Sequence, residues 1–170
     1  MPRVRPMMIL RHILSILILP FTVTVVVPAV LLRNGLSASS IPAQAIGSGL
    51  VLVGLGLVGY TIASFASRGR GTLAPWDPPR RLVITGVYRH VRNPMISGVI
   101  LILAGESLAF SSAAVGTWTA VVLIVNALYI PLVEEPGLAR RFGEEYEAYK
   151  AHVPRWVPRL RPWYPTAPRE

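Results

Sequence analysis

Four apolar stretches divide the chain, and each has the length of a membrane helix. They cover residues 13–32, 43–66, 94–114 and 117–133, and Glu106 is the one acidic or basic residue inside them. A helix needs about 20 apolar residues to cross the hydrocarbon core of a bilayer. The pattern predicts an all-α, polytopic membrane protein with four transmembrane helices, organised as one domain over residues 1–170.

Lys and Arg are distributed unequally between the segments that join these stretches. Sixteen of the 17 cations lie before the first stretch, between the second and third, or after the fourth, and Arg33 is the exception. Cytoplasmic loops of membrane proteins are enriched in Lys and Arg. We therefore expect a multi-pass protein whose two termini and 67–93 loop are cytoplasmic.

Composition supports a membrane protein and argues against nucleic acid as a partner. The chain is 52% hydrophobic and 15% charged, whereas a soluble domain has about 25% charged residues. The net charge of +9 would suggest a nucleic-acid partner in a soluble protein. Here the cations flank apolar stretches, where they contact anionic lipid head groups. The chain has no Cys, which excludes disulfides and thiol nucleophiles, and no metal site is predicted.

The second stretch is rich in small residues, which allow membrane helices to approach closely. Gly56, Gly59, Ala63 and Ala66 fall on one helical face and predict such a contact. Residues 54–59 also spell G-x-G-x-x-G. That fingerprint binds dinucleotides only after a strand and within a βαβ unit. The uncharged surroundings exclude this context, so we interpret the glycines as packing residues.

Two polar clusters lie where apolar stretches end. Residues 86–94, with the sequence GVYRHVRNP, lead into the third stretch, and Glu134 and Glu135 follow the fourth. In the four-helix topology both clusters meet the same water layer, so we expect them to form one site. Glu106 lies at the other end of the third stretch, and we favour a structural hydrogen bond to Asn126 or Thr117 over a function for it.

The region after the fourth stretch predicts an amphipathic helix on the cytoplasmic face. Apolar or aromatic residues recur every three to four positions from Leu138 to Val153. Residues 154–170 contain five prolines and three aromatic residues, which favours an extended segment at the membrane interface.

Together these motifs resemble the isoprenylcysteine carboxyl methyltransferase family, which is related to the phospholipid methyltransferases. The resemblance rests on GVY at 86–88 followed by RNP at 92–94, on EE at 134–135, and on FGEEY at 142–146 with Tyr149 and Val153-Pro154. It covers residues 80–158. It implies an integral membrane methyltransferase that uses S-adenosylmethionine, with its active site facing the cytoplasm.

The resemblance also implies which residues form the site. The predicted cofactor-binding residues are Leu82, Val83, Tyr88, Arg89, Asn93, Pro94, Met95, Ile96, Gly98, Glu134 and Glu135. The predicted catalytic residues are Arg92 and His90. By chemical type, the acids suit the ammonium or ribose of the cofactor and the arginines suit its carboxylate. His90 suits proton acceptance from an amine nucleophile, whereas a carboxylate acceptor needs no base.

Two departures from the family pattern leave the methyl acceptor open. Asn93 and Ile96 replace the usual His and aromatic residue, and the substrate-binding Arg of the carboxyl methyltransferases would fall near Ile130. We expect a small lipophilic or isoprenoid-type acceptor, with membrane lipids as surrounding partners. Two alternatives stay open: a membrane reductase that uses a nicotinamide cofactor, and a non-enzymatic membrane scaffold.

Overall fold

Helices form all the regular secondary structure within residues 17–33, 39–64 and 82–165, which the structure, a computed structural model, describes. Helix α1 is π-helical over Leu17–Val26 and α-helical over Val27–Leu32. The other helices are α2 (Ile41–Ser64), α3 (Pro94–Ala109), α4 (Ala113–Tyr129), α5 (Glu135–Phe142) and α6 (Glu144–His152). A 3-10 turn at Gly86–Arg89 precedes α3, and a π-helical turn at Ile130–Glu134 joins α4 to α5. The all-α prediction is confirmed for these residues.

Two helices are long and apolar enough to cross a membrane. They are α2, Ile41–Ser64, and the continuous helix Ala113–Phe142 that α4, the π-helical turn and α5 form together. Two further apolar helices are shorter, Pro20–Leu32 and Pro94–Ala109. The 16 residues of α3 extend about 24 Å, less than the hydrocarbon thickness of about 30 Å. Four crossings and cytoplasmic termini stay predictions.

Several helix boundaries differ from those predicted. Helix α3 ends at Ala109 rather than near residue 114, because the chain turns at Ser111, whose φ is 46°. Helix α4 begins at Ala113 rather than 117, since the Ser112 hydroxyl accepts a hydrogen bond from the Val115 N–H and caps the helix. Residues 13–16 and 65–66 of the predicted spans lie outside the described residues.

The predicted amphipathic helix over 138–150 is in fact two helices. Gly143, with φ +54°, separates α5 from α6 in a conformation that favours glycine. Helix α5 continues the axis of the long helix, whereas α6 packs Tyr146 and Tyr149 into a core with Ile84 and Val153. The break therefore turns the chain back onto the segment that precedes α3.

Helices α2 and α3 pack backbone against backbone through two pairs of glycines. A Cβ on Gly47 would lie 2.5 Å from the Gly105 carbonyl oxygen, and a Cβ on Gly54 would lie 2.6 Å from that of Gly98. Real Cβ atoms do not approach backbone so closely, so both pairs require glycine. The paired residues are seven apart in each helix, which places both contacts on one face of the antiparallel pair.

The predicted packing face of α2 is wrong. Gly56 and Gly59 have open space beside them, and Ala63 is exposed, while Ala66 lies outside the described residues. The contact instead uses Gly47 and Gly54, together with Val58, which packs beside them. The G-x-G-x-x-G sequence at 54–59 lies inside one uninterrupted helix over residues 41–64, not after a strand.

The predicted hydrogen bonds across the α3–α4 hairpin are also wrong. The Asn126 side-chain amide donates to the Val122 carbonyl at 2.8 Å, and the Thr117 hydroxyl donates to the Ala113 carbonyl at 2.9 Å, both within α4. Glu106 has one carboxylate oxygen that is buried and has no partner among the described residues.

Candidate active site

The 3-10 turn at Gly86–Arg89 is held by a close fit between its first residue and helix α2. Gly86 has φ +54°, and a Cβ at this position would overlap the Tyr60 hydroxyl. Glycine is therefore required both for the backbone conformation and for the contact. Tyr88, inside the turn, is buried, and its backbone carbonyl accepts a 2.7 Å hydrogen bond from the Tyr149 hydroxyl of α6.

The segment from Val153 to Tyr164, here called the tail, crosses the 3-10 turn and the residues that follow it. Three backbone hydrogen bonds join the two segments: Arg92 N–H to Pro154 O (2.9 Å), Arg159 N–H to His90 O (3.0 Å) and Trp163 N–H to Arg89 O (3.0 Å). The Trp163 ring stacks on His152 and contacts Tyr149. The tail thereby fixes the backbone of residues 89–92, which carry the polar side chains of the first predicted cluster.

Glu135 is the centre of a buried ion cluster. Its carboxylate accepts a hydrogen bond from Arg92 at 3.0 Å and two from Arg155, at 2.6 and 2.9 Å. The side chains of Arg92 and Glu135 are 10% and 6% exposed. Arg92 also donates to the Tyr146 hydroxyl at 3.4 Å, but its Nε is buried and has no partner among the described residues. Two cations therefore share one carboxylate, which leaves the cluster with a net positive charge.

The cluster changes the acidity of its members. Glu135 lies beyond the apolar part of the long helix. Burial raises the pKa of Glu135. The hydrogen bond from Arg155 and the charges of Arg92 and Arg155 outweigh burial, so the pKa of Glu135 is lowered overall. Burial and the Glu135 carboxylate raise the pKa of Tyr146 to about 12. At neutral pH Glu135 is ionised and Tyr146 is a neutral hydroxyl.

Glu134, the neighbour of Glu135, has a different environment. Its carboxylate has no hydrogen-bond or ion-pair partner among the described residues, and the residue is exposed. Even so, surrounding protein atoms and then the adjacent Glu135 raise its pKa. Burial, then the charge of Tyr149 and then that of Glu134, raise the pKa of Tyr88. The two glutamates thus have separate roles, one paired and one open to a ligand.

His90 presents one ring nitrogen to a backbone carbonyl. The distance from Nδ1 to the Arg159 carbonyl oxygen is 2.7 Å. A carbonyl oxygen only accepts, so Nδ1 carries the proton and Nε2 of the neutral ring has the lone pair. The ring borders an open cavity beside the 3-10 turn. A proton acceptor is therefore fixed in orientation there.

The remaining predicted site residues lie in three environments. Leu82 and Val83 directly precede Ile84; Leu82 packs against the α6 core, and Val83 is buried. Asn93, Pro94, Met95 and Ile96 form the start of α3, where the Asn93 amide donates to the Arg155 carbonyl at 3.4 Å. Gly98 is packed against Gly54 and Val58 of α2, so the structure gives it a packing contact. No comparison tests the predicted cofactor roles, which stay predictions.

The sequence analysis missed Arg155. It lies in a segment interpreted as an extended interfacial tail, and no local pattern distinguishes it from Arg159 or Arg161. Its bidentate contact with Glu135 depends on the return of the chain after α6. In the sequence, only the excess of arginines near Glu134 and Glu135 indicated that these acids have a cationic partner.

Comparison with known proteins identifies the family. A model of the phospholipid methyltransferase family matches residues 42–145, more than half of the chain. The matched region contains α2 to α5 and both polar clusters, whereas the tail lies beyond it. No curated protein and no solved structure gives a match. The resemblance to membrane methyltransferases is thereby confirmed, and the chain belongs to the phospholipid methyltransferase family.

Proposed function

We propose that this protein transfers a methyl group from S-adenosylmethionine to a small lipophilic or isoprenoid-type acceptor at the cytoplasmic face of the membrane. The observation that supports this best is the exposed carboxylate of Glu134, which has no partner among the described residues and lies within the region that matches the methyltransferase family. Its neighbour Glu135 is paired with Arg92 and Arg155, so of these two adjacent acids Glu134 is the one open to a ligand.

The residues present fit the chemical groups of this cofactor. Glu134 offers an unpaired acceptor to an ammonium or to ribose hydroxyls. Arg92 adds a buried Nε–H that has no partner in the part of the chain that the structure describes, in a cluster with one more cation than anion, and this suits a carboxylate. When bound, S-adenosylmethionine supplies a methyl group already activated on a sulfonium centre.

The chain then has mainly to bind, orient and exclude water. Glu135 orients Arg92, and Arg155 in turn holds the Glu135 carboxylate, so these two position the site. His90 Nε2 accepts the proton when the acceptor nucleophile is an amine. A carboxylate acceptor makes no use of this nitrogen.

The experiment that tests this proposal follows the methyl group. Purified protein is incubated with S-adenosylmethionine carrying a labelled methyl group and with total membrane lipids or small isoprenoids, and labelled products are separated. We expect transfer by the wild type and by the Glu144→Gln control, since Glu144 is an exposed acid of α6. Transfer should fall at least tenfold in Glu134→Gln. Equal transfer by both variants would contradict the assignment of Glu134.

The cytoplasmic orientation has a separate test. The chain has no Cys, so single cysteines placed at exposed Glu144 and at exposed Ser111 report one site each. We expect a membrane-impermeant maleimide to label position 144 only after the cytoplasmic side is made accessible, and position 111 from the opposite side. The reverse pattern would refute the orientation.

A further inference from the structure

Glu135 is bonded more fully to Arg155 than to Arg92. Arg155 donates from Nε to Oε1 at 2.6 Å and from Nη2 to Oε2 at 2.9 Å, so it contacts both carboxylate oxygens. Arg92 donates from Nη1 to Oε1 alone, at 3.0 Å. A two-point contact between a guanidinium and a carboxylate is the stronger and more directional kind. Arg155 therefore satisfies Glu135 by itself, and the bond from Arg92 is an additional one.

The backbone around Arg155 is fixed beside the residues of the cluster. The Arg92 N–H donates to the Pro154 carbonyl at 2.9 Å, and the Asn93 amide donates to the carbonyl of Arg155 itself at 3.4 Å. The Arg155 side chain is 30% exposed, whereas that of Glu135 is 6% exposed. Arg155 is therefore held next to the buried carboxylate by backbone contacts as well as by charge.

Arg92 has hydrogen-bonding capacity that the cluster does not use. Its side chain bonds to Glu135 and, at 3.4 Å, to the Tyr146 hydroxyl, and its Nε is buried without a partner among residues 17–33, 39–64 and 82–165. A buried donor without a partner has a desolvation penalty, which an acceptor on a ligand would remove. Arg92 is therefore the cation of the cluster that a ligand acceptor would stabilise most.

The charge of the cluster depends on Arg155. With both arginines the cluster has one more cation than anion, and one carboxylate of a ligand would neutralise it. Without Arg155 the pair of Arg92 and Glu135 is already neutral, and a ligand carboxylate would add an unpaired buried anion. Burying an unpaired charge is costly, so a cluster without Arg155 disfavours a carboxylate.

We infer that Arg92 changes partner on ligand binding, leaving Glu135 for the carboxylate of the cofactor, and that Arg155 is the positioning residue that permits this by keeping Glu135 paired. In the absence of Arg155, Glu135 would hold Arg92 and compete with the ligand. The inference rests on the proposed function and assigns a part in it to a residue beyond the region that the family model matches.

The test compares S-adenosylhomocysteine with its decarboxylated analogue, which keeps the amine and lacks the carboxylate. Isothermal titration of the full-length protein in detergent gives the ratio of the two affinities, which isolates the contribution of the carboxylate. We expect the wild type to bind S-adenosylhomocysteine at least about tenfold more tightly than the analogue. In Arg155→Gln this ratio should fall below about threefold. In Arg161→Gln, which removes an exposed cation of the tail, it should stay as in the wild type.

Two further variants separate this role from a merely structural one. In Arg155→Gln/Glu135→Gln no anion holds Arg92, so the ratio should return to at least about tenfold. Arg155→Lys keeps a cation next to Glu135 and should also keep a ratio of about tenfold. Damage to the fold would instead weaken the binding of both ligands together, and replacing a second buried residue would not repair it.

The outcomes distinguish the inference from the proposed function. A wild-type ratio in Arg155→Gln, or a ratio that stays low when Glu135 is also replaced, would overturn the inference alone. If the double variant fails to fold, a low ratio in Arg155→Lys would overturn it in the same way. Absence of S-adenosylhomocysteine binding by the wild type would refute both, whereas the expected ratios without methyl transfer would support the inference and refute only the proposed transfer.

Discussion

Replacing each of the two adjacent glutamates by glutamine should have opposite effects. Glu135→Gln removes the one anion of the buried cluster, while the shape of the side chain is nearly kept. Glu134→Gln removes a carboxylate that has no partner among the described residues. If the structure assigns these residues correctly, the first variant loses stability and the second loses ligand affinity.

The size of each effect follows from burial and contacts. In Glu135→Gln the guanidinium of Arg92, 10% exposed, keeps its charge without an anion, and breaking a buried pair costs about 3–5 kcal/mol. In this variant Arg155, which is 30% exposed, can turn its guanidinium to water, so we expect a loss of stability at the lower end of this range, about 3 kcal/mol. For a chain of this length that lowers the melting temperature by about 6–12 °C. Glu134→Gln should change stability by less than about 0.5 kcal/mol.

The affinity change for Glu134→Gln is the loss of one charge-assisted hydrogen bond. Such a bond contributes about 1.5–3 kcal/mol, which corresponds to a loss of about 10- to 150-fold in affinity for S-adenosylhomocysteine. Thermal unfolding in detergent and isothermal titration measure the two quantities on the same preparations. The reasoning fails if Glu135→Gln melts with the wild type, or if Glu134→Gln binds S-adenosylhomocysteine as tightly as the wild type does.

Three further predictions concern acidity and packing. The pKa of Glu135 is lowered in the folded protein, so the ionised carboxylate stabilises the fold fully above the unfolded pKa of 4.5, and this contribution is lost as the pH falls through the folded pKa. The free energy of unfolding should therefore decrease below pH 4.5, and it should decrease less in Glu135→Gln. Gly54→Val should destabilise by about 1–3 kcal/mol through overlap with the backbone of α3, whereas Gly56→Val, in open space, should not lower the melting temperature. Tyr149→Phe should cost about 1–3 kcal/mol in chemical denaturation, because the buried Tyr88 carbonyl loses its donor; an unchanged midpoint would refute this.

The hydropathy pattern was sufficient for the approximate position of the four apolar helices, but not for their contacting faces. In α2 nearly every residue is apolar or small, so neither lipid-facing nor helix-facing positions stand out in the sequence. Gly56 and Gly59 therefore seemed as suitable for packing as Gly47 and Gly54. The face of α2 that packs against α3 depends on the positions of the glycines in α3, and the sequence of α2 alone does not show those positions.

The candidate site was predictable in part for a similar reason. The motifs around Tyr88 and Glu134 lie at helix ends and were identified from local sequence. The unequal roles of Glu134 and Glu135 were not, because they depend on Arg155, twenty residues further along the chain. The return of the tail after α6 is a tertiary contact, and no periodicity in the sequence encodes it.

The π-helical turn at Ile130–Glu134 has a consequence for insertions and deletions in this chain. The Glu135 N–H bonds to the Ile130 carbonyl, five residues back, so this turn contains one residue more than an α-helical turn. Deletion of Leu132 would therefore convert it into an ordinary turn and keep Glu135 facing Arg92. The same deletion within Ala113–Tyr129 would rotate the glutamates by about 100° relative to the start of the helix. Among homologous chains, we expect length changes to be tolerated at this turn and not in the straight helix before it.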